Sequence, residues 1–214
     1  MYTHVLFDLD GTLTDSSEGI TKCAQLALDH FGIHVENLND LRVFIGPPLR
    51  NTFPSFGVPE DKVEEAVAIF RSRYTKVGKY ENKPYDGIEN LLKHLKAAGV
   101  HCYVATSKPE GTAREILDKF ELTQYFDCIA GASEDSSRDS KEKVIRYLFT
   151  MVEDIHSAVM VGDTVFDIVG ARETGVDAIG VTWGFGSVEE MKEKGARNIV
   201  SNCSELEDVI LGVC

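Results

Sequence analysis

The sequence predicts an α/β protein: a Rossmann-like, doubly wound parallel sheet with an all-helical domain inserted into it. Three observations carry this. Short apolar runs ending in small or acidic residues recur along the chain. Amphipathic helical patterns separate most of them, the alternation a parallel α/β sheet requires. One stretch, between Ser16 and Glu81, holds helical patterns and no strand pattern.

The strands read in order as "HVLFDLD", "VHCYVATS", "FDCIAGAS", "SAVMVGD" and "DAIGVTW". Both faces of each run are apolar, as in strands covered by helices on both sides. Between them, Ile88, Leu91, Leu92 and Leu95 fall at helical spacing, and Gly99 stops that helix. "PEGTAREILDKF" opens on Pro109, suited to a helix start. "SKEKVIRYLFTMV" follows, then "VFDIVGARETG", closing at Gly175.

Within the inserted stretch, Ile20, Cys23, Ala24, Ala27 and Phe31 share one helical stripe, and Val63, Val67, Phe70, Tyr74 and Val77 share another. "IGPPLRNTF" interrupts them with a stiff turn at Pro47 and Pro48. About 65 residues far exceed the dozen or so that a strand crossover needs. The expected division is therefore residues 1–15 and 82–214 as the α/β core, with 16–81 as a helical domain.

The chain of 214 residues carries a formal net charge of -13, with 43% hydrophobic and 27% charged residues. So acidic a surface repels phosphate backbones, which argues against nucleic acid or an anionic membrane as partner. Cys23, Cys102, Cys128, Cys203 and Cys214 are odd in number and include no C-x-x-C pair. A disulfide framework or zinc site is not expected, and a reducing cytoplasm fits. The start "MYTHVLFDLDG" has no charged segment leading into a long apolar run, so no signal peptide is expected. No run reaches the ~20 apolar residues of a membrane span.

Asp8 and Asp10 sit at the end of the first strand. If the chain is still extended there, both side chains leave the same face toward one point, in the region where open α/β sheets bind ligands. Gly11 permits a sharp turn, and Thr12 and Thr14 add hydroxyls. Asp163 ends a second apolar strand, with Asp167 four residues on, one turn into the next helix. The same pair would also serve as an ordinary helix start. Carboxylates crowded at one place repel, and Mg²⁺, which takes hard oxygen ligands and phosphate, relieves this. The expected ligands are Asp8 and Asp163, with the backbone carbonyl of Asp10 as a third and Asp167 acting directly or through water. Thr106 and Ser107, at a strand end, suit phosphoryl oxygens. Lys141 opens a helix before Asp163, with Lys108 and Lys143 as competitors for the same role.

"DLDGTLTDS", "ATS", "SK" and "GDTVFD", in that order and spacing, resemble the four motifs of the haloacid dehalogenase superfamily. They resemble in particular its aspartate-nucleophile phosphatases with a helical C1-type cap after the first motif. The resemblance covers nearly the whole chain. Its first and fourth motifs are specific, while the second and third gain meaning from their order. "FIGPPLRNTF" and "TSKPE" are similar to bacterial phosphoglycolate phosphatases, and some relatives of this type are labelled 5′-nucleotidases.

The resemblance implies Asp8 as nucleophile, forming an aspartyl-phosphate, and Asp10 as general acid and then base. It implies Thr106 and Lys141 as holders of the transferring phosphoryl group, and Asp163 and Asp167 as residues securing Mg²⁺. Residues 16–81 become the cap. One departure is Ser107, where the second motif often has Asn. The substrate expected is a small phosphorylated metabolite, phosphoglycolate-like, with a 5′-nucleotidase or phosphomutase as alternatives, acting as monomer or homodimer. Arg50 could bind a substrate carboxylate bidentately or be a surface arginine, and Arg42 is a weaker candidate. A phospho-acceptor signalling domain is the distant alternative. Such domains place their acidic metal pair early and the acceptor later, and they carry no helical insertion.

Overall fold

The structure, a computed structural model, describes residues 1–135, 137–153 and 155–213. The chain runs β1 (His4–Phe7), β2 (Thr14–Asp15), α1 (Ser17–His30), α2 (Leu49–Ser55), α3 (Val63–Tyr74), β3 (Lys83–Pro84), α4 (Ile88–Ala97), β4 (His101–Pro109), α5 (Glu110–Lys119), β5 (Cys128–Ala132), α6 (Lys141–Met151), β6 (Ala158–Gly162), α7 (Val165–Thr174), β7 (Asp177–Val181), α8 (Val188–Glu193), β8 (Asn198–Val200) and α9 (Cys203–Leu211).

Six strands form one sheet in the order β5-β4-β1-β6-β7-β8, every pair parallel. Strand β1 lies at its centre, paired to β4 through His4–His101 and to β6 through His4–Ala158. The chain winds outward through β4 and β5, then returns to β6 on the other side of β1. That reversal places a topological switch point at the carboxyl end of β1.

Alternation along β1 shows why the sheet needs two covers. Val5 and Phe7 face a layer holding Leu91, Leu92, Leu95, Ile116, Leu117, Leu206 and Ile210. Leu6 faces the opposite layer, with Val144, Ile145, Leu148, Ile168, Ala171 and Met191. Each such large side chain contributes roughly 1.5–3 kcal/mol by leaving water.

The described chain divides into two compact units, Met1–Thr14 with the residues from Pro84 onward, and Asp15–Lys83. The two-residue strands β2 and β3 pair as a separate sheet where the chain passes from one unit to the other. The second unit is helical. Its core holds Ile20, Cys23, Ala24, Ala27 and Leu28 of α1, Phe53 of α2, and Ala66, Val67 and Phe70 of α3. Phe44 packs its ring 4.9 Å from Phe53 and 5.2 Å from Phe56. Arg73 gives both arms to Glu81, at 2.6 and 2.9 Å.

Several details differ from the sequence reading. Strand β8 and helices α8 and α9 follow the last expected strand; β8 has three residues, too few for a period to be seen. Val77 lies beyond α3 and is exposed, although it shares the helical spacing. "LRNTF" is itself helical, as the first part of α2 after Pro48. Cys214 lies outside the described residues; Cys23, Cys102, Cys128 and Cys203 are not joined in disulfides. Among the described residues, no helix is long and apolar enough to cross a membrane.

Candidate active site

Asp8 follows β1 directly. Its amide still bonds to Val161 O at 2.9 Å, so the ladder to β6 holds it at the strand's carboxyl end. The backbone then turns: Thr12, Leu13 and Thr14 all return their amides to Leu9 O. Gly11 stands in this turn at φ +82, and a Cβ there would lie 2.2 Å from Asp163 Oδ2. Only glycine meets both demands. The turn therefore brings the first motif against the end of β6.

Asp163 follows β6 and is fully buried. Thr12 Oγ1 donates to its Oδ1 at 3.2 Å and the Phe185 amide donates to its Oδ2 at 2.8 Å. Asp167, also fully buried, is the third residue of α7. Its Oδ2 accepts from the Thr164 amide at 3.0 Å and the Thr164 hydroxyl at 2.8 Å, capping the helix. Its Oδ1 faces Lys141 Nζ at 2.8 Å. One carboxylate thus caps its helix with one oxygen and faces the Lys141 ammonium with the other.

Lys141, the first residue of α6, has its ammonium 2.8 Å from Asp8 Oδ1, and it donates to Ala105 O at 2.9 Å. Its side chain is 2% exposed, which makes the competing surface reading untenable for this lysine. Burial pulls its pKa down, but Asp167 and Asp8 outweigh that and raise it. Lys108 is also buried and stands 2.8 Å from Asp10 Oδ2. Lys143 instead pairs with Asp139 on the surface.

The register between β4 and β5 shifts between Ala105 and Pro109. Irregularities of this kind re-aim side chains at sheet ends, and Thr106, Ser107 and Lys108 occupy this one. Thr106 is buried, with its Oγ1 accepting from the Lys108 amide at 3.2 Å. Ser107 is partly exposed.

Asp8, Asp163 and Asp167 each offer an oxygen within 4.8 Å of the others. Against three carboxylates stands one ammonium, leaving two negative charges uncompensated. Burial, then Asp167 and Asp8, push the Asp163 carboxyl well above its ordinary range. Burial raises Asp167 too, with Lys141 opposing. An all-carboxylate donor set short of two positive charges fits a hard divalent cation. The Asp10 side chain is not among these three: its Oδ2 goes to Lys108, while its buried Oδ1 has no hydrogen-bond partner.

Arg50 is in the helical unit, in α2, where Nε and Nη2 reach Glu64 at 2.5 and 2.9 Å. Its fork is occupied by that carboxylate. Arg42 lies in a short 3-10 segment, Leu38–Phe44.

Sequence reasoning overlooked the segment after β7. Trp183 Nε1 donates to Thr12 O at 3.0 Å, and the Phe185 amide holds Asp163. The signal available was "WGFG", an aromatic and glycine run at a strand's carboxyl end. The sequence offers Lys108 only as a rival of Lys141, whereas the two lysines take separate carboxylates.

The fold agrees with comparisons to known proteins. The family model described as haloacid dehalogenase-like hydrolase matches residues 5–181, and the chain belongs to that family. A protein of Pseudomonas aeruginosa named 5′-nucleotidase is 42% identical over 98% of this chain and 96% of its own length. One of Mycobacterium tuberculosis named tyrosine-protein kinase PtkA is 39% identical over 96% of this chain and 70% of its own. The crystal structure of a predicted phosphatase from Clostridium acetobutylicum superposes with a TM-score of 0.93 at 46% identity, covering 99% of both chains.

Proposed function

We propose that this protein is a divalent-cation-dependent phosphomonoester hydrolase that works through an aspartyl-phosphate on Asp8. The observation that carries the reading is the placement of Asp8 at the strand end, with Lys141 Nζ 2.8 Å away among three buried carboxylates.

Asp8, Asp163 and Asp167 would hold the cation, with Mg²⁺ the natural choice beside a phosphate ester. The cation would neutralise charge on the phosphoryl oxygens and on the carboxylates around them. Asp8 Oδ1 accepts from the Leu9 amide at 2.7 Å and faces Lys141, which leaves Oδ2 to attack phosphorus. The Oδ2–P bond forms as the ester P–O bond breaks, and Asp10 passes a proton to the departing alkoxide. Asp10 then takes a proton from water, whose oxygen bonds to phosphorus as the Asp8–P bond breaks. Phosphate leaves and Asp8 is restored. Splitting one hard displacement into two is the gain of the covalent route. Lys108 holds the Asp10 carboxyl in place for both transfers. Lys141 and Thr106 balance charge on the transferring group.

The substrate class is a small phosphorylated metabolite that approaches as an anion. "FIGPPLRNTF" and "TSKPE" favour a phosphoglycolate-like ester, and residues 16–81 would act as the cap that selects it. Arg50 would serve as the carboxylate receptor by exchanging Glu64 for substrate. Both partners are exposed, so solvent screens the existing pair and it gives way readily. The 42% identical protein named 5′-nucleotidase favours a nucleoside monophosphate as second reading. The test is a phosphate-release screen over small esters and nucleotides, with and without Mg²⁺, using the wild type and Asp8→Asn. Release that needs Mg²⁺ and vanishes in Asp8→Asn supports the reading. Release by Asp8→Asn at the wild-type rate contradicts it.

A further inference from the structure

The segment Thr182–Ser187, "TWGFGS", is tied by two hydrogen bonds to Asp163 and to the Thr12 backbone beside it. Phe185 donates its amide to Asp163 Oδ2 at 2.8 Å. Trp183 donates its indole N–H to Thr12 O at 3.0 Å, and Thr12 itself donates to Asp163 Oδ1. Gly184 lies between them, so close that a Cβ would stand 2.3 Å from Asp163 Cβ and Oδ2 and 2.4 Å from Gly11 O. Gly186 is equally constrained, its Cβ position lying 2.1 Å from Asp163 O. Tyr85 buttresses Trp183 edge-on, with ring centroids 6.5 Å apart.

We propose that this loop is a positioning element for Asp163, with Trp183 and Gly184 as its positioning residues. The Phe185 amide fixes one carboxylate oxygen, and Trp183, through the Thr12 backbone, sets the hydroxyl that fixes the other. Together they orient the carboxylate plane toward Asp8 and Asp167. A buried carboxylate whose two oxygens have chosen donors cannot rotate freely. Its contribution to the shared cation site then depends on where those donors stand. Partners of this kind behind a ligand typically change metal affinity by 10–100-fold when removed. The inference rests on the reading that the three carboxylates hold a cation, and it goes beyond it in naming what sets their geometry.

Trp183 is the one tryptophan in the chain, so its emission reports on this loop alone. The experiment uses the full chain stripped of metal by chelation, with Mg²⁺ titrated by calorimetry and by tryptophan emission. Trp183→Phe keeps the ring against Tyr85 and removes the N–H. Gly184→Ala drives a methyl into Asp163. The expected results are a Mg²⁺ dissociation constant raised roughly 10-fold or more in each folded variant, and a wild-type emission change that tracks the calorimetric binding curve. Variants that are less heat-stable but bind Mg²⁺ as tightly as wild type would show a merely structural loop and overturn the inference. Should neither variant fold, the wild-type emission decides: binding without any change at Trp183 overturns it. A wild type that binds no divalent cation overturns the underlying reading instead, and the inference falls with it.

Discussion

Lys141 Nζ stands 2.8 Å from Asp8 Oδ1 although the whole helical unit, Asp15–Lys83, lies between the two residues in the sequence. The same nitrogen faces Asp167 and Ala105 O, so α6, α7, β1 and β4 all converge on one ammonium. Removing that charge leaves the buried carboxylates without their cationic neighbour. Lys141→Met should lower kcat by about 10²–10³-fold, the usual cost of deleting a preorganised electrostatic partner. It should also destabilise the metal-free protein by about 3–5 kcal/mol. Turnover of p-nitrophenyl phosphate and denaturant unfolding check the two effects.

Removal of the cation should act on stability as well as on turnover. A ligand that binds the folded state alone stabilises it by about 2.7 kcal/mol at a concentration 100 times its dissociation constant. Chelation should therefore lower Tm and abolish phosphate release, and Mg²⁺ should restore both. In Asp163→Asn the Mg²⁺-dependent part of the Tm shift should shrink. Thermal scans in chelator and in excess Mg²⁺ measure it.

Alkaline pH should weaken the core from a different direction. Burial pushes the Cys102 thiol from 9.0 up to about 12 and the Tyr103 phenol from 10.0 up to about 12. The folded state holds these protons more tightly than the unfolded chain does, so it loses stability as pH rises. That contribution is whole below pH 9 and is lost progressively toward pH 12. Cys102→Ala should flatten the first part of this decline, as read from denaturant midpoints between pH 8 and 11.

Arg50 and Glu64 lie on α2 and α3 of the helical unit, and their side chains are 47% and 70% exposed. If Arg50 receives a substrate carboxylate, Arg50→Ala should raise KM for phosphoglycolate several-fold while p-nitrophenyl phosphate, which has no carboxylate, is hydrolysed as before. Equal loss on both substrates would remove Arg50 from substrate selection. Steady-state kinetics on the two esters separates the cases.

Much of the architecture was legible because its elements are long and periodic. Leu91, Leu92 and Leu95 mark α4, and the apolar runs before Asp8 and Asp163 mark β1 and β6. Strand β8 escaped because Asn198–Val200 is too short to show alternation. The carboxylates were visible as pairs at and just beyond strand ends, although the second pair fits a helix start equally well. Their separate partners were not visible. Lys108 and Lys141 are both lysines near strand or helix ends, and only the folded positions of β4 and α6 bring one to Asp10 and the other to Asp8 and Asp167. Trp183 was read as the end of an apolar strand, because its indole N–H bonds across 171 residues to a backbone oxygen that no pattern encodes.

The covalent step on Asp8 is the centre of the account, and it can be seen directly. Asp10→Asn removes the proton carrier of both steps, but p-nitrophenyl phosphate has a leaving group that departs without a proton, so with this ester and Mg²⁺ the phosphorylated form should accumulate. Acid quenching followed by peptide mass mapping should then find one added phosphoryl group, on the peptide carrying Asp8. A phosphoryl group on any other side chain, or phosphate released in a single turnover with Asp8 never labelled, would contradict it.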